Sequence, residues 1–153
     1  MSSKHSAATL KNNDQDPQQQ WATFLLAEEL YGINVMQVKE VLRLTEIAPV
    51  PGALDYILGI INLRGNVITV IDTRALFGLA PREPSNDSRI IVIELDDQVI
   101  GMRVDSVAEV IYLRLSQIER TPSVGTDESS KFISGVSYHN DELIILLNLD
   151  QMI

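Results

Sequence analysis

Cysteine is absent from the chain. That removes disulfides, thiolate nucleophiles and cysteine-type zinc sites together, and it fits a reducing compartment. Histidine is scarce, with two in 153 residues. His5 lies in a polar N-terminal stretch, and His139 lies in His139–Asn140–Asp141, which reads as a solvated turn rather than a general base. Two separated histidines do not make a three-ligand zinc site. Asp96–Asp97 lacks the spaced acidic loop that calcium needs and reads as a hairpin turn. Neither a phosphate-cradling glycine loop nor a nucleophile elbow occurs. No catalytic residue, metal or organic cofactor is therefore expected. Basic residues are outnumbered, 12 Lys and Arg against 21 Asp and Glu, for a formal net charge of −9. A polyanion needs a cationic counter-surface, so nucleic acid is excluded as a partner, and an anionic membrane face with it. Long apolar runs are missing too. Ile57–Ile61 and Leu143–Leu147 reach about five residues where a membrane helix needs about 20. Residues 1–20 have no apolar h-region, so they read as a disordered polar tail and not as a secretory signal. The expected address is the cytoplasm.

What the chain has in abundance is β-branched residues. Ile and Val total 30, and such side chains are stiff at χ1 and favour strands. The composition and the short alternating runs predict an all-β fold. A duplication organises them. Residues 30–44 read LYGINVMQVKEVLRL and residues 99–113 read VIGMRVDSVAEVIYL, aligned without gaps at an offset of 69. Six of the fifteen positions are identical, including Gly32/Gly101, Val38/Val107, Glu40/Glu109 and Val41/Val110. Residues 59–77 match residues 135–153 at an offset of 76, so seven extra residues fall between Arg114 and Lys131. Repeat halves of about 21–79 and 88–153 follow, joined by a Pro-containing linker over 80–88.

Each half reads as five short strands with one helical turn between the second and third. The first half predicts strands near 21–27, 30–34, 40–44, 57–63 and 66–71, then a short helix over 73–77 capped by Asp72 and ended by Gly78. The second predicts strands near 89–95, 99–103, 109–113, 133–138 and 143–148. Five antiparallel strands in about 60 residues suggest a small barrel, which hides its sheet edges. A unit of that size is marginal alone, so two fused barrels sharing a core are expected. Arg89–Ile93 is apolar on both faces. One face fills a barrel, and the other meets the sister barrel or a partner protein.

Two residues stand out. Arg64 lies at the tip of Asn62–Leu63–Arg64–Gly65–Asn66. It reads either as a polar turn residue beside a glycine with φ > 0 or as an arginine presented at an interface. Position alone leaves both readings open. Glu40 recurs as Glu109, which favours a structural role at the bend, while beside Val41 and Leu42 it could also act as a polar guide in an apolar patch.

The segment 56–77, YILGIINLRGNVITVIDTRALF, resembles the signature of the bacterial chemotaxis coupling family CheW. Residues 30–41 and the loop 47–51, IAPVP, resemble the segments preceding it, and the similarity runs from about Trp21 to Ile153. The resemblance implies two interlocked five-stranded barrels of SH3-like form and no enzymatic activity. It implies an adaptor that bridges the cytoplasmic tips of methyl-accepting chemoreceptors to the histidine kinase CheA, recruited to receptor arrays at the membrane without inserting in it. A stand-alone coupler is expected, with no receiver or kinase region. Carried over from the family pattern, Glu40, Val41, Leu42, Arg64, Ile118 and Val124 are expected at the kinase contacts. Val38, Gly59, Arg64 and Val110 are expected at the receptor groove. The family often carries an aromatic residue near 124, where this chain has Val124. The rival readings are an adaptor of a non-flagellar chemosensory pathway and a small-ligand-binding β protein.

Overall fold

The computed structural model describes residues 16–120 and 132–152. Ten strands follow in order: β1 (Gln18–Leu26), β2 (Glu29–Asn34), β3 (Val38–Arg43), β4 (Ile57–Leu63), β5 (Asn66–Asp72), β6 (Arg89–Leu95), β7 (Gln98–Val104), β8 (Ser106–Arg114), β9 (Ile133–His139) and β10 (Glu142–Leu147). One four-residue helix, α1 (Thr73–Leu76), follows β5. Asp72 caps it by accepting from the Arg74 N–H, and Gly78 at φ 74° ends it, as the sequence predicts.

The strands form two five-stranded sheets. The order in the first barrel is β3-β6-β7-β5-β4, and in the second β8-β1-β2-β10-β9. The repeat halves do not each close on themselves. The β6–β7 hairpin of the second half lies in the first barrel, and the β1–β2 hairpin of the first half lies in the second. The reason lies in the connections. A 3-10 turn, Val35–Gln37, carries the chain from β2 to β3 in the other sheet, leaving the first hairpin behind. Nor are all the pairs antiparallel. The exchange sets β5 beside β7 and β2 beside β10 in parallel, which requires the long connections that sequence-distant strands provide.

Two further expectations are corrected. No helical turn separates β7 from β8, where only Asp105 intervenes. In the first half the Asn34 side chain accepts from the Met36 N–H and caps the turn. At the matching position Arg103 offers no acceptor. The expected tail does not extend to residue 20. The Asp16 carboxylate accepts from the Ser116 N–H at 2.8 Å and its hydroxyl at 2.9 Å, and β1 begins at Gln18, paired with Arg114. Edge pairing with β8 orders three glutamines that look too polar to fold. Residues 1–15 lie outside the described part.

Alternation along each strand feeds three apolar clusters. Ile61, Ile68, Val70, Ile90 and Val92 fill the first barrel. Trp21, Ile111, Leu113, Ile144 and Leu146 fill the second. The opposite faces meet in a central core that includes Phe24, Tyr31, Ile91, Ile93, Met102 and Phe132. Thus Ile90 and Val92 face a barrel interior while Ile91 and Ile93 face the junction. The rings of Phe24, Tyr31, Phe77 and Phe132 run through that junction with centroids 5.6–5.7 Å apart, a spacing that favours offset aromatic packing.

Each barrel closes through a single bridge. The segment after β3 pairs Ala48 with Ile60, and the segment after β8 pairs Glu119 with Val136. Gly59 and Gly135, repeat equivalents, lie under these crossings. A Cβ on Gly59 would sit 2.1 Å from the Ala48 carbonyl oxygen, and one on Gly135 would sit 2.7 Å from that of Glu119.

A charged clamp fixes the junction. Asp105 accepts from the Arg74 Nε at 2.9 Å, from the Ala27 N–H at 2.9 Å and from Arg82 at 3.4 Å, while Arg74 also donates to the Ala80 carbonyl. The Arg74 side chain is 7% exposed. Burial pushes the Asp105 carboxyl up, but the Arg74 hydrogen bonds and the Ala27 N–H outweigh it and hold the group below the usual aspartate range.

Removing one member of this pair strands the other. Asp105→Asn should cost about 3 kcal/mol in urea unfolding. Because the folded carboxyl titrates below its unfolded value, the clamp contributes fully above about pH 4. Its contribution fades as pH falls through the depressed value. The wild-type advantage over Asp105→Asn should therefore shrink on acidification. A second comparison concerns the glycines. Gly59→Ala drives a methyl into backbone at φ 149° and should lower stability by several kcal/mol, whereas at Gly65 a Cβ meets nothing within 4 Å and only the φ of 86° opposes it. Gly65→Ala should cost about 1–2 kcal/mol, and equal melting temperatures for the two variants would contradict this packing.

Candidate protein-binding surface

The β4–β5 hairpin turns at Arg64 and Gly65, with φ of 52° and 86°. Two consecutive positive values mark a type I′ hairpin, whose twist matches that of the flanking strands. The sequence points to Gly65 for that geometry, and the structure places Arg64 in it as well. The Asn62 side chain accepts from the Gly65 N–H at 2.9 Å and braces the turn. Arg64 is thereby aimed across the barrel mouth at β3. Its Nη1 and Nη2 donate to the two Glu40 carboxylate oxygens at 2.6 and 2.8 Å. β3 and β4 are the two outer strands of the sheet, so this bidentate pair latches one edge to the other.

The latch is wet: the Arg64 side chain is 70% exposed and that of Glu40 27%. The Arg64 hydrogen bonds hold the Glu40 carboxyl below its ordinary range, and Glu40 raises Arg64. Exposed pairs add little to stability, though the fork-to-carboxylate geometry gives orientation. Arg64 is thus a turn residue held in place, and it is also an exposed planar cation. Glu40 likewise does structural work at the bend while standing beside Val41, which is 47% exposed.

The other expected contact residues are spread over both sheets. Leu42 turns inward and packs on the first barrel's interior cluster, and Ile118 does so in the second. Val38 packs against the central core. Gly59 is buried under Ala48, so its backbone shapes the barrel from beneath the surface. Val110, on β8, is 49% exposed. Val124 lies outside the described residues. Among the described residues of this set, side-chain hydrogen bonds join Glu40 with Arg64.

Several exposed apolar side chains were not singled out from the sequence. Val67 lies on the Arg64 hairpin, Tyr112 lies two residues beyond Val110, and Tyr138 faces Leu143 across the β9–β10 hairpin. Alternation with buried Ile111 and Leu113 was the available signal for Tyr112. It became decisive only once β8 was known to be an outer strand. These side chains leave apolar area exposed on β5, β8 and β9.

Comparison with known proteins agrees with this architecture. Residues 20–153 match the family model described as CheW-like domain. The chain is 29% identical over 150 residues to the chemotaxis protein CheW of Helicobacter pylori, covering 98% of this chain and 90% of that protein. It is 33% identical over 129 residues to the CheW of Rhizobium meliloti, covering 84% and 83%. The crystal structure of the scaffolding protein TtCheW from Thermoanaerobacter tengcongensis aligns with a TM-score of 0.79 at 41% identity, over 86% of this chain and 84% of that one. With its paired SH3-like barrels and a family match that spans the folded region, the chain belongs to the CheW-like domain family.

Proposed function

We propose that the protein is a non-enzymatic scaffold of bacterial chemotaxis that couples transmembrane chemoreceptors to the histidine kinase CheA. The observation that carries this reading is the family match over residues 20–153, which includes the latched Arg64 turn and the exposed Val41 on the neighbouring edge strand. The CheW relatives are named chemotaxis proteins and the aligned crystal structure a scaffolding protein, which supports the same role here. No helix among the described residues is long and apolar enough to cross a membrane. The protein would act at the cytoplasmic face of receptor arrays, held there by its partners.

Binding does the work, so the division of surfaces is the mechanism. The kinase would dock along the β3 edge of the first barrel, with Val41 as the apolar contact on the outer face, Glu40 and Arg64 as oriented charges on the opposite face and Leu42, on the face of Glu40, supporting the strand from within. A second kinase contact would involve the segment from Ile118 to Val124. The receptor tip would lie as a helix in the groove reached by Val38, Arg64 and Val110, with Gly59 setting the backbone beneath it. Interfaces of this kind bury about 800 Å² per partner. Signalling would require receptor state to change the contacts by a coupling free energy of about 1–3 kcal/mol.

Arg64→Ala should leave the melting temperature within a few degrees of wild type while weakening partner capture in a pull-down with kinase and receptor fragments. A large loss of stability would instead show that the latch serves the fold alone. Val41→Asp should reduce kinase capture more than receptor capture. Equal loss of both would sink the proposed division of surfaces.

A further inference from the structure

The two repeats correspond position by position around the latch, yet only one of them carries it. In the first barrel Glu40 pairs with Val92 beside a bulge at Lys39, and Val41 pairs with Ile91. In the second, Val110 pairs with Ala22 and Val107 with Phe24, with the same bulge between them. Glu109 therefore stands where Glu40 stands. It is held there through its backbone, whose carbonyl accepts from the Thr23 hydroxyl. The facing hairpin tips also correspond. Arg64 and Gly65 have φ of 52° and 86°, and Asn140 and Asp141 have 53° and 64°. The backbone is the same, and the guanidinium is replaced by a short neutral amide.

An open cleft of about 370 Å³ lies at that place in the second barrel. Glu109, Asn140, His139 and Glu142 form its polar rim, and Leu30 and Ile111 are among its apolar lining. No arginine or lysine lines it, and Glu109 makes no ion pair among the described residues. Its volume is within the range of ligand pockets. The chain's net charge of −9 favours a cationic visitor.

We propose that this cleft receives an arginine side chain from a partner polypeptide. Glu109 would accept the guanidinium as Glu40 accepts that of Arg64. The support is not the acidic rim alone. The same protein shows, in its other repeat, what the equivalent carboxylate binds and through which two nitrogens. Arginine suits the cleft better than lysine. Its fork meets a carboxylate bidentately, its head is more weakly hydrated, and its methylenes can lie along Leu25 and Leu30. The first barrel thus supplies its own arginine, and the second borrows one.

The test needs neither kinase nor receptor, so its outcome is separate from that of the coupling role. The probe is the peptide acetyl-Asn-Leu-Arg-Gly-Asn-amide, which copies residues 62–66, titrated into the full chain while backbone amide NMR shifts are followed. Saturable shifts centred on Glu109 and Asn140 are expected, with affinity of roughly millimolar order for so small a ligand. They should vanish when citrulline replaces the peptide's arginine, and vanish in Glu109→Gln, which keeps the backbone contact to Thr23. Asn140→Arg should fill the cleft from within and block the peptide, with the melting temperature little changed. Should that variant fail to fold, Glu109→Gln still decides. Absence of shifts, equal shifts with citrulline, or undiminished binding by Glu109→Gln would overturn the proposal. So would arginine amide alone binding as well as the pentapeptide, since the cleft would then be a small-cation site and not a docking point.

Discussion

Two small sheets, each with apolar residues on both faces, cannot both be satisfied by closing into barrels. Closure hides one face and leaves the other in water. The central core resolves this by pressing the remaining faces together, with the rings of Phe24, Tyr31, Phe77 and Phe132 in contact through the junction. Everything else is arranged around that burial. The hairpin exchange makes each barrel depend on strands from both repeats, and the Arg74–Asp105 clamp ties α1 to the β7–β8 crossing. A 60-residue barrel is marginal by itself, and here neither sequence half has a complete barrel to itself.

With the junction consumed by the core, the surfaces left for partners are the outer strands and the hairpin tips. β3 and β8 each border a sheet. Each carries an exposed valine, Val41 and Val110, at equivalent places in the repeat. The duplicated frame therefore offers two related platforms, and substitutions at their edges set them apart. Arg64 against Asn140 is the sharpest of these differences, since it exchanges a fixed cation for an open cleft.

Much of the fold was legible in the sequence because it rests on local rules. β4 and β6 span the predicted residues, the Asp72 cap and Gly78 stop are where turn chemistry puts them, and the repeat fixes which strands correspond. What could not be read from composition and spacing was which strands cross between sheets, because alternation records a strand's faces and not its neighbours. The SH3-like pair and its interlocking were legible only through the resemblance around Leu63–Arg64–Gly65. The site was legible in part. Arg64 and Glu40 each stood out separately, but their contact joins residues 24 apart through a turn geometry that the sequence shows only at Gly65. Leu42 and Ile118 are expected at contacts only through the resemblance; Leu42 packs inward because of its register on β3, and Ile118 packs inward after the 3-10 turn that follows β8.

The parallel pairing of β2 with β10 has a bearing on how the molecule is made. Leu30 must wait for Ile144, the partner beside it in the ladder. During synthesis at about 5–20 residues per second, the first hairpin emerges several seconds before the strand it pairs with. The second barrel is therefore completed only after β10 has left the ribosome, whereas all five strands of the first are available once β7 has done so. The amino-terminal hairpin spends that interval with its outer edge unpaired. Chaperones and the growing chain itself have that interval in which to act on it.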